Sequence, residues 1–482
     1  VVLSVSLAWF TTQIIGKGKD VSVTSANLQI VFTDSDGALT ETDIEPGWSA
    51  TKTFTIKNDT KTEYKYNIVI KDLLNTFVTE GYLQYKITST NDGYNMTEFK
   101  DIPKSSVATD TILAYSVVIP DGVTQSYTIE FKYTNDESVD QSDDMGKKLS
   151  GTLFITEGTE DPNKTLLTQL LVDKSTKLTR TDFSKVLTTD NTNTLYTSTE
   201  DSKTVYYFAG NATDNWVKFG KNASSQDLYW RIIRTNSDGG VRLLYHGTST
   251  TATDAYIETS AFNSSYNNIA YVSYMYGSTG SIPNARTNQT NSSTIKGVID
   301  TWYAKNMTSY TKYLSTTAVY CNDRTYTVSD STYFGAYTRL ADNKTPSYDC
   351  SATEDKFTVD TSTGNGKLTY PIALMTADEV SFAGGLAGTN APTWYNYNSA
   401  NGSSTGSTQW WLLSPSYWSS SYACVFSVYG SSHPGFLVVD FVYDTHGVRP
   451  AVSLKSCIKY STGNGSASDP YTIKETTSTS GC

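Results

Sequence analysis

Trp410–Leu454 reads WWLLSPSYWSSSYACVFSVYGSSHPGFLVVDFVYDTHGVRPAVSL, an aromatic-rich and nearly uncharged stretch that divides into three short β runs. Val425–Tyr429 leads through a Gly430–Gly435 turn to Phe436–Tyr443, and an Asp444–Gly447 turn then leads to Val448–Leu454. Short runs of Val, Phe and Tyr bounded by Gly, Ser, Pro and Asp are the pattern of a strand meander. The chain is full of Asn and Lys elsewhere, yet this stretch contains neither, nor any Glu, Gln, Met or Ile.

Upstream of the meander, Val205–Phe208, Trp230–Arg234 and Val241–Tyr245 read as strands. Ile295, Val298, Ile299 and Trp302 fall at i, i+3, i+4 and i+7 of an amphipathic helix. Thr376 with Glu379 is a capping box that opens a second short helix, stopped by Gly384-Gly385. Asn396–Ser407 is a Ser/Gly-rich loop leading into Trp410. Residues 183–474 therefore predict one α+β domain.

Earlier, over residues 21–157, the apolar period is two. The runs Asn27–Phe32, Ala50–Lys57, Tyr64–Ile70, Gly81–Thr88, Thr111–Ile119, Tyr127–Tyr133 and Leu149–Ile155 alternate apolar and polar residues. Strands at this spacing, each with one face inward, predict an antiparallel β-sandwich. The fold class read from the sequence is mainly β, an N-terminal sandwich followed by an α+β domain. Residues 158–182 read as a linker with a short helix, its N-cap at Asp161 and Pro162 at its first position. Residues 475–482 read as a tail. In residues 1–20, apolar Val1–Phe10 with Ser6-Leu7-Ala8 reads as the end of a signal peptide, the alternative being an N-terminal strand.

A length of 482 residues allows two or three domains. The formal net charge of −11, with Lys and Arg in no block, argues against nucleic acid and anionic membrane surfaces as partners. A chain with 35 Tyr against 5 Met and 3 His, acidic and rich in Ser and Thr, reads as a secreted β protein. No stretch approaches the ~20 apolar residues of a membrane helix. Five cysteines is an odd number, and any disulfide fits an extracellular site. Cys321 and Cys350 flank one loop and are the best disulfide pair; Cys424 and Cys457 are a candidate second pair that leaves Cys482 over.

Catalytic and metal signatures are missing from the sequence. His246, His433 and His446 have no metal-ligand spacing, and there is no H-E-x-x-H, G-x-S-x-G, phosphate loop or dinucleotide fingerprint. Asp143-Asp144 reads as solvated loop and Asp378-Glu379 as a helix N-terminus. The sequence thus predicts no enzyme, no metal and no cofactor.

The frame W-W-L-x-S-P, then A-x-V-F, then G-V-R-P-A-V-S-L resembles the C-terminus of bacterial surface domains with a C-type-lectin-like fold. The resemblance extends through Tyr229–Arg234, Cys321–Arg324, Phe334–Tyr337 and Leu368–Pro371, over roughly residues 185–473. Between frame residues the slots hold types reachable from Asn or Tyr codons by changing adenines. That pattern is similar to the variable proteins of diversity-generating retroelements. The resemblance implies a displayed binding face made of Tyr417, Ser419, Ser421, Tyr422, Ser427, Tyr429, His433, Phe436, Asp440, Tyr443, Asp444 and His446. Tyr, Ser, Asp and His on rigid strands and turns are what binding faces use. It implies a protein or glycan partner on another cell, phage or host surface, and a frame in which Trp410, Trp411 and Arg449 are buried. Under it Cys424 is alternatively a free thiol in a variable slot. Ile44–Gly47, Ile56–Asn58, Ile119-Pro120 and Ala8–Thr11 resemble the secreted camelysin and biofilm-fibre family, implying self-association through an N-terminal strand.

Overall fold

A computed structural model describes residues 9–11, 21–25, 28–34, 40–41, 44–59, 61–96, 98–252, 255–327, 332–391, 409–430 and 433–476. The signal-peptide reading of Val1–Ala8, the Asn396–Ser407 loop and most of the tail lie outside them. The chain is mainly β and forms two compact units, residues 1–162 and 163–482.

The first unit stacks a five-stranded sheet on a six-stranded one. The five run in the order Thr40–Glu41, Trp9–Thr11, Lys148–Glu157, Tyr64–Asn75, Ser105–Ile119. The six run Val21–Ser25, Leu28–Asp34, Ser49–Asn58, Thr124–Tyr133, Leu83–Ser89, Lys100–Asp101. The period-two alternates form the core: Phe54, Ile56, Ile68, Ile87, Tyr127, Ile129 and Ile155 are all buried. Among the described residues of this unit, one pair departs from the antiparallel expectation, since Trp9–Thr11 runs parallel to Lys148–Ser150. Asp144 is not solvated as expected. Its carboxylate is buried and accepts from Val78 N at 2.6 Å, Thr79 N at 3.2 Å and the Tyr133 hydroxyl at 2.9 Å. Two backbone donors that the sheet leaves unpaired explain why a charged residue sits inside.

Residues 163–182 are part of the second unit rather than a linker. The helix is Leu166–Asp173, capped by Thr165 and not by Asp161. Leu166 and Leu170 enter the main core, and Thr176–Thr179 pairs in parallel with Thr194–Thr197. The larger sheet centres on Asp227–Thr235, with Val241–Gly247 bridging it to Pro450–Leu454. The helix Thr294–Asn306 buries Ile295, Ile299 and Tyr303, with Val298 and Trp302 half-buried beside them. Ala377–Ala383 carries the expected capping box and ends on Gly384 at φ 115°. Glu379 does more than cap this helix: it also accepts from Arg234 Nε at 2.9 Å and Arg242 Nη1 at 2.7 Å.

A second sheet contains the meander. Its order is Thr259–Ala261, Thr445–Gly447, Trp410–Trp418, Ala423–Val428, Phe436–Phe441, Leu386–Ala387. The third run of the meander does not stay in it. After Gly447 the chain leaves this sheet, and Pro450–Leu454 joins the larger one between Val241–Gly247 and Ile372–Leu374. Arg449 sits at the switch. Its guanidinium donates to the Tyr245 carbonyl at 3.1 Å and lies 4.7 Å from the centre of the buried Trp410 ring. Trp411 is equally buried and donates its indole N–H to Ser260 O at 2.8 Å.

Candidate functional site

The structure divides the expected binding residues of the 417–446 strip into four groups. At one end, the turn Ser419–Tyr422 is closed by a bond from Tyr422 N to Ser419 Oγ at 2.9 Å, with Ser420 at φ 67°. This turn presents Ser421 and Tyr422 outward. Tyr422 packs on Phe441 at 5.2 Å between ring centres, Phe441 stacks on Tyr443 at 5.5 Å, and Tyr266 meets Tyr443 at 4.8 Å and Tyr422 at 5.5 Å. The exposures of Tyr266, Tyr422, Phe441 and Tyr443 are 40, 39, 40 and 38%. Four large rings sharing one patch with that much surface in water is unusual for a packing cluster.

The patch is held rigidly from behind. Ala423 N donates to Tyr266 O at 2.9 Å, and Asn263 N donates to Val442 O at 2.9 Å. These bonds tie the 263–266 segment to the strip's strands and turn. Tyr266 and Phe441 were not among the residues expected from sequence. Tyr266 lies in the polar run Asn263–Asn268, where a lone aromatic with no apolar period is the signal that was available.

Around Asp440, the side chains are polar. Asp440 Oδ2 accepts from Ser427 Oγ and Gln409 Nε2, and His446 Nε2 lies 3.5 Å from it. Ser427 is fully buried, so it positions Asp440 instead of meeting a ligand. Asp444 is half-buried nearby, and burial, then the neighbouring Asp440, raises its carboxyl above the ordinary value. Asp440, Asp444 and His446 each offer a ligand atom, and these atoms lie within 4.8 Å of one another. The three histidines share no metal-ligand spacing among themselves; the structure brings together a mixed set, two carboxylates and one imidazole, within seven consecutive residues.

Tyr417 is half-buried and packs on Tyr333 at 4.9 Å, which in turn meets Tyr337 at 4.6 Å. At the far end Tyr429, His433 and Phe436 form a ring triangle with sides of 5.4, 5.5 and 5.9 Å. Of the remaining histidines, His246 is buried edge-on against Trp216 at 4.5 Å. Cys321 and Cys350 are disulfide-bonded. The pairing of Cys424 with Cys457 is overturned: Cys424 is a buried free thiol and Cys457 is disulfide-bonded elsewhere. Burial, then Asp440 and Asp444, pushes the Cys424 thiol up to about 12.

No protein-family model and no curated protein matches the chain. A solved structure of AvmM, which catalyzes macrocyclization in alchivemycin A biosynthesis, overlaps 24% of this chain and 83% of its own at 10% identity and a TM-score of 0.15. A likeness that low carries no argument about fold or activity. Among the described residues, no helix is long and apolar enough to cross a membrane.

Proposed function

We propose that this chain is a secreted or cell-surface bacterial binding protein whose second unit is a lectin-like domain displaying the 417–446 strip. The observation that carries the reading is the exposed cluster of Tyr266, Tyr422, Phe441 and Tyr443. Tyrosines on strands and tight turns give large contact area with little rotamer entropy to lose, which favours a protein or glycan partner. The frame supports the same reading, because buried Trp410, Trp411 and Arg449 leave the slots between them free to vary. The Cys321–Cys350 disulfide is in keeping with an extracellular site.

The test is deep sequencing of the locus across a population of the source organism. Substitutions concentrated at Tyr417, Ser421, Tyr422, Tyr443 and their neighbours, at adenines of a template copy, would uphold a diversified face. They should spare Trp410, Trp411, Ser427 and Gly447–Pro450. A strip as invariant as the sandwich would sink the idea.

A second reading, a fibre subunit, draws on the strand Trp9–Thr11. It is three residues long and held beside Lys148–Ser150 by backbone pairing. A neighbouring copy could supply such a strand. Electron microscopy of the purified protein distinguishes them, since fibres favour the subunit and monodisperse particles the binding protein.

A further inference from the structure

The strip contains a second arrangement that the aromatic face does not use. We propose that Asp440, Asp444 and His446 form a divalent-cation site suited to Zn2+, with one coordination position left for water or a ligand group. The proposal stands on geometry and does not depend on the aromatic face having a partner. The separation of 3.5 Å between His446 Nε2 and Asp440 Oδ2 is long for a hydrogen bond. Nε2 is closed to solvent and has no hydrogen-bond partner. Two ligands bound to one tetrahedral Zn2+ at ~2.0–2.1 Å stand about 3.3 Å apart. The observed spacing is therefore closer to that of two ligands sharing an ion than to that of a bonded pair.

Two of the three ligands are held from outside the set. Asp440 lies on the strand Phe436–Phe441, and Ser427 Oγ and Gln409 Nε2 donate to its Oδ2. His446 is paired across the sheet with Ser260, and the Trp411 ring packs on its imidazole at 4.5 Å. Such outer partners orient ligands and are a recurring feature of metal sites. Asp444 occupies the turn between them. Among the described residues, no Lys or Arg forms an ion pair with Asp440 or Asp444, and the one basic side chain beside Asp440 is His446, itself a member of the set. One imidazole and two carboxylates suit Zn2+, whereas Ca2+ asks for six or more oxygens.

The test uses the full chain, stripped with a chelator and titrated near neutral pH with Zn2+, Ca2+ and Co2+ by calorimetry and visible absorption. The expected result is one Zn2+ per chain and a Co2+ spectrum of tetrahedral type. Removing an outer partner typically weakens metal binding 10- to 100-fold, so Asp444→Asn and His446→Gln should each weaken it by at least roughly tenfold. Cys424→Ser should bind as the parent does, which separates this site from zinc capture by the free thiol. If His446→Gln fails to fold, Asp444→Asn, at a half-exposed turn residue, carries the test. The proposal is overturned if the parent takes up no Zn2+, or if Asp444→Asn binds like the parent. Loss of binding in Cys424→Ser, or Ca2+ bound as tightly as Zn2+ and indifferently to His446→Gln, also overturns it.

Discussion

Replacing Glu379 by Ala should destabilise the second unit by about 4 kcal/mol, mostly through the ~3–5 kcal/mol that removing one partner of a buried ion pair costs. Glu379 is 1% exposed and bonds Arg234 and Arg242, whose side chains are 3% and 2% exposed. Arg234 keeps Glu200 at 2.8 Å after the change. Arg242 does not fare as well, retaining Val319 O and Ser453 Oγ but no carboxylate. That asymmetry puts the ion-pair loss near the low end of the range. The Glu379 carboxylate also accepts from Thr376 N at 3.0 Å, and losing a capping contact adds about 1 kcal/mol. Glu379→Gln retains the shape and the cap and should cost less. Urea unfolding followed through the buried Trp216, Trp230, Trp410 and Trp411 reads the difference.

Acid provides a second readout. Burial pushes the Glu379 carboxyl up, but Arg242 and Arg234 more than offset this, so it titrates below its ordinary 4.5. A depressed carboxylate contributes stability that is present above its unfolded value and lost as pH falls through its folded one. The gap between parent and Glu379→Gln should therefore be full above pH 4.5 and shrink below it. A loss under about 1 kcal/mol for Glu379→Ala, or a gap independent of pH, would refute the assignment of this buried ion-pair network as a stabilising element of the second unit.

Tyr266→Ala and Tyr443→Ala should each change stability by no more than about 1 kcal/mol, because both residues lie at the surface, outside the buried core. Each should weaken partner binding by roughly tenfold or more, as expected of aromatic anchors, measured by surface plasmon resonance once a partner is isolated. Cys350→Ser opens a disulfide spanning 29 residues and should cost about 3.6 kcal/mol by loop entropy, measured by denaturation against the parent. The Cys424 thiol, pushed up to about 12 and buried, should resist a thiol reagent at mildly alkaline pH in the native protein and react once urea unfolds it.

The apolar periods were legible from sequence alone. Tyr127, Ile129, Phe131 and Tyr133 alternate because a sandwich strand has one wet face, and they are buried as that alternation requires. The Thr376–Glu379 box and Gly384 fixed a helix through bonds spanning three or four residues. Burial of Trp410, Trp411 and Arg449 followed from their place in the frame. These signals are local, so one chain segment is enough to read them.

Other features needed contacts across long separations. Tyr266 joins Tyr443 from a segment with no period of its own, and Glu379 meets Arg234 145 residues away in sequence. Ser427 looked like its neighbouring serines until its partner on the next strand showed it facing inward. The set Asp440, Asp444 and His446 was close in sequence yet unreadable, because strand, turn and strand had to fold before their atoms converged. Sequence determined which residues alternate and where elements start and stop, since backbone geometry imposes those periods. Which faces met, which serine was buried and which carboxylates came together depended on sheet pairing, and that pairing is decided only when distant segments pack.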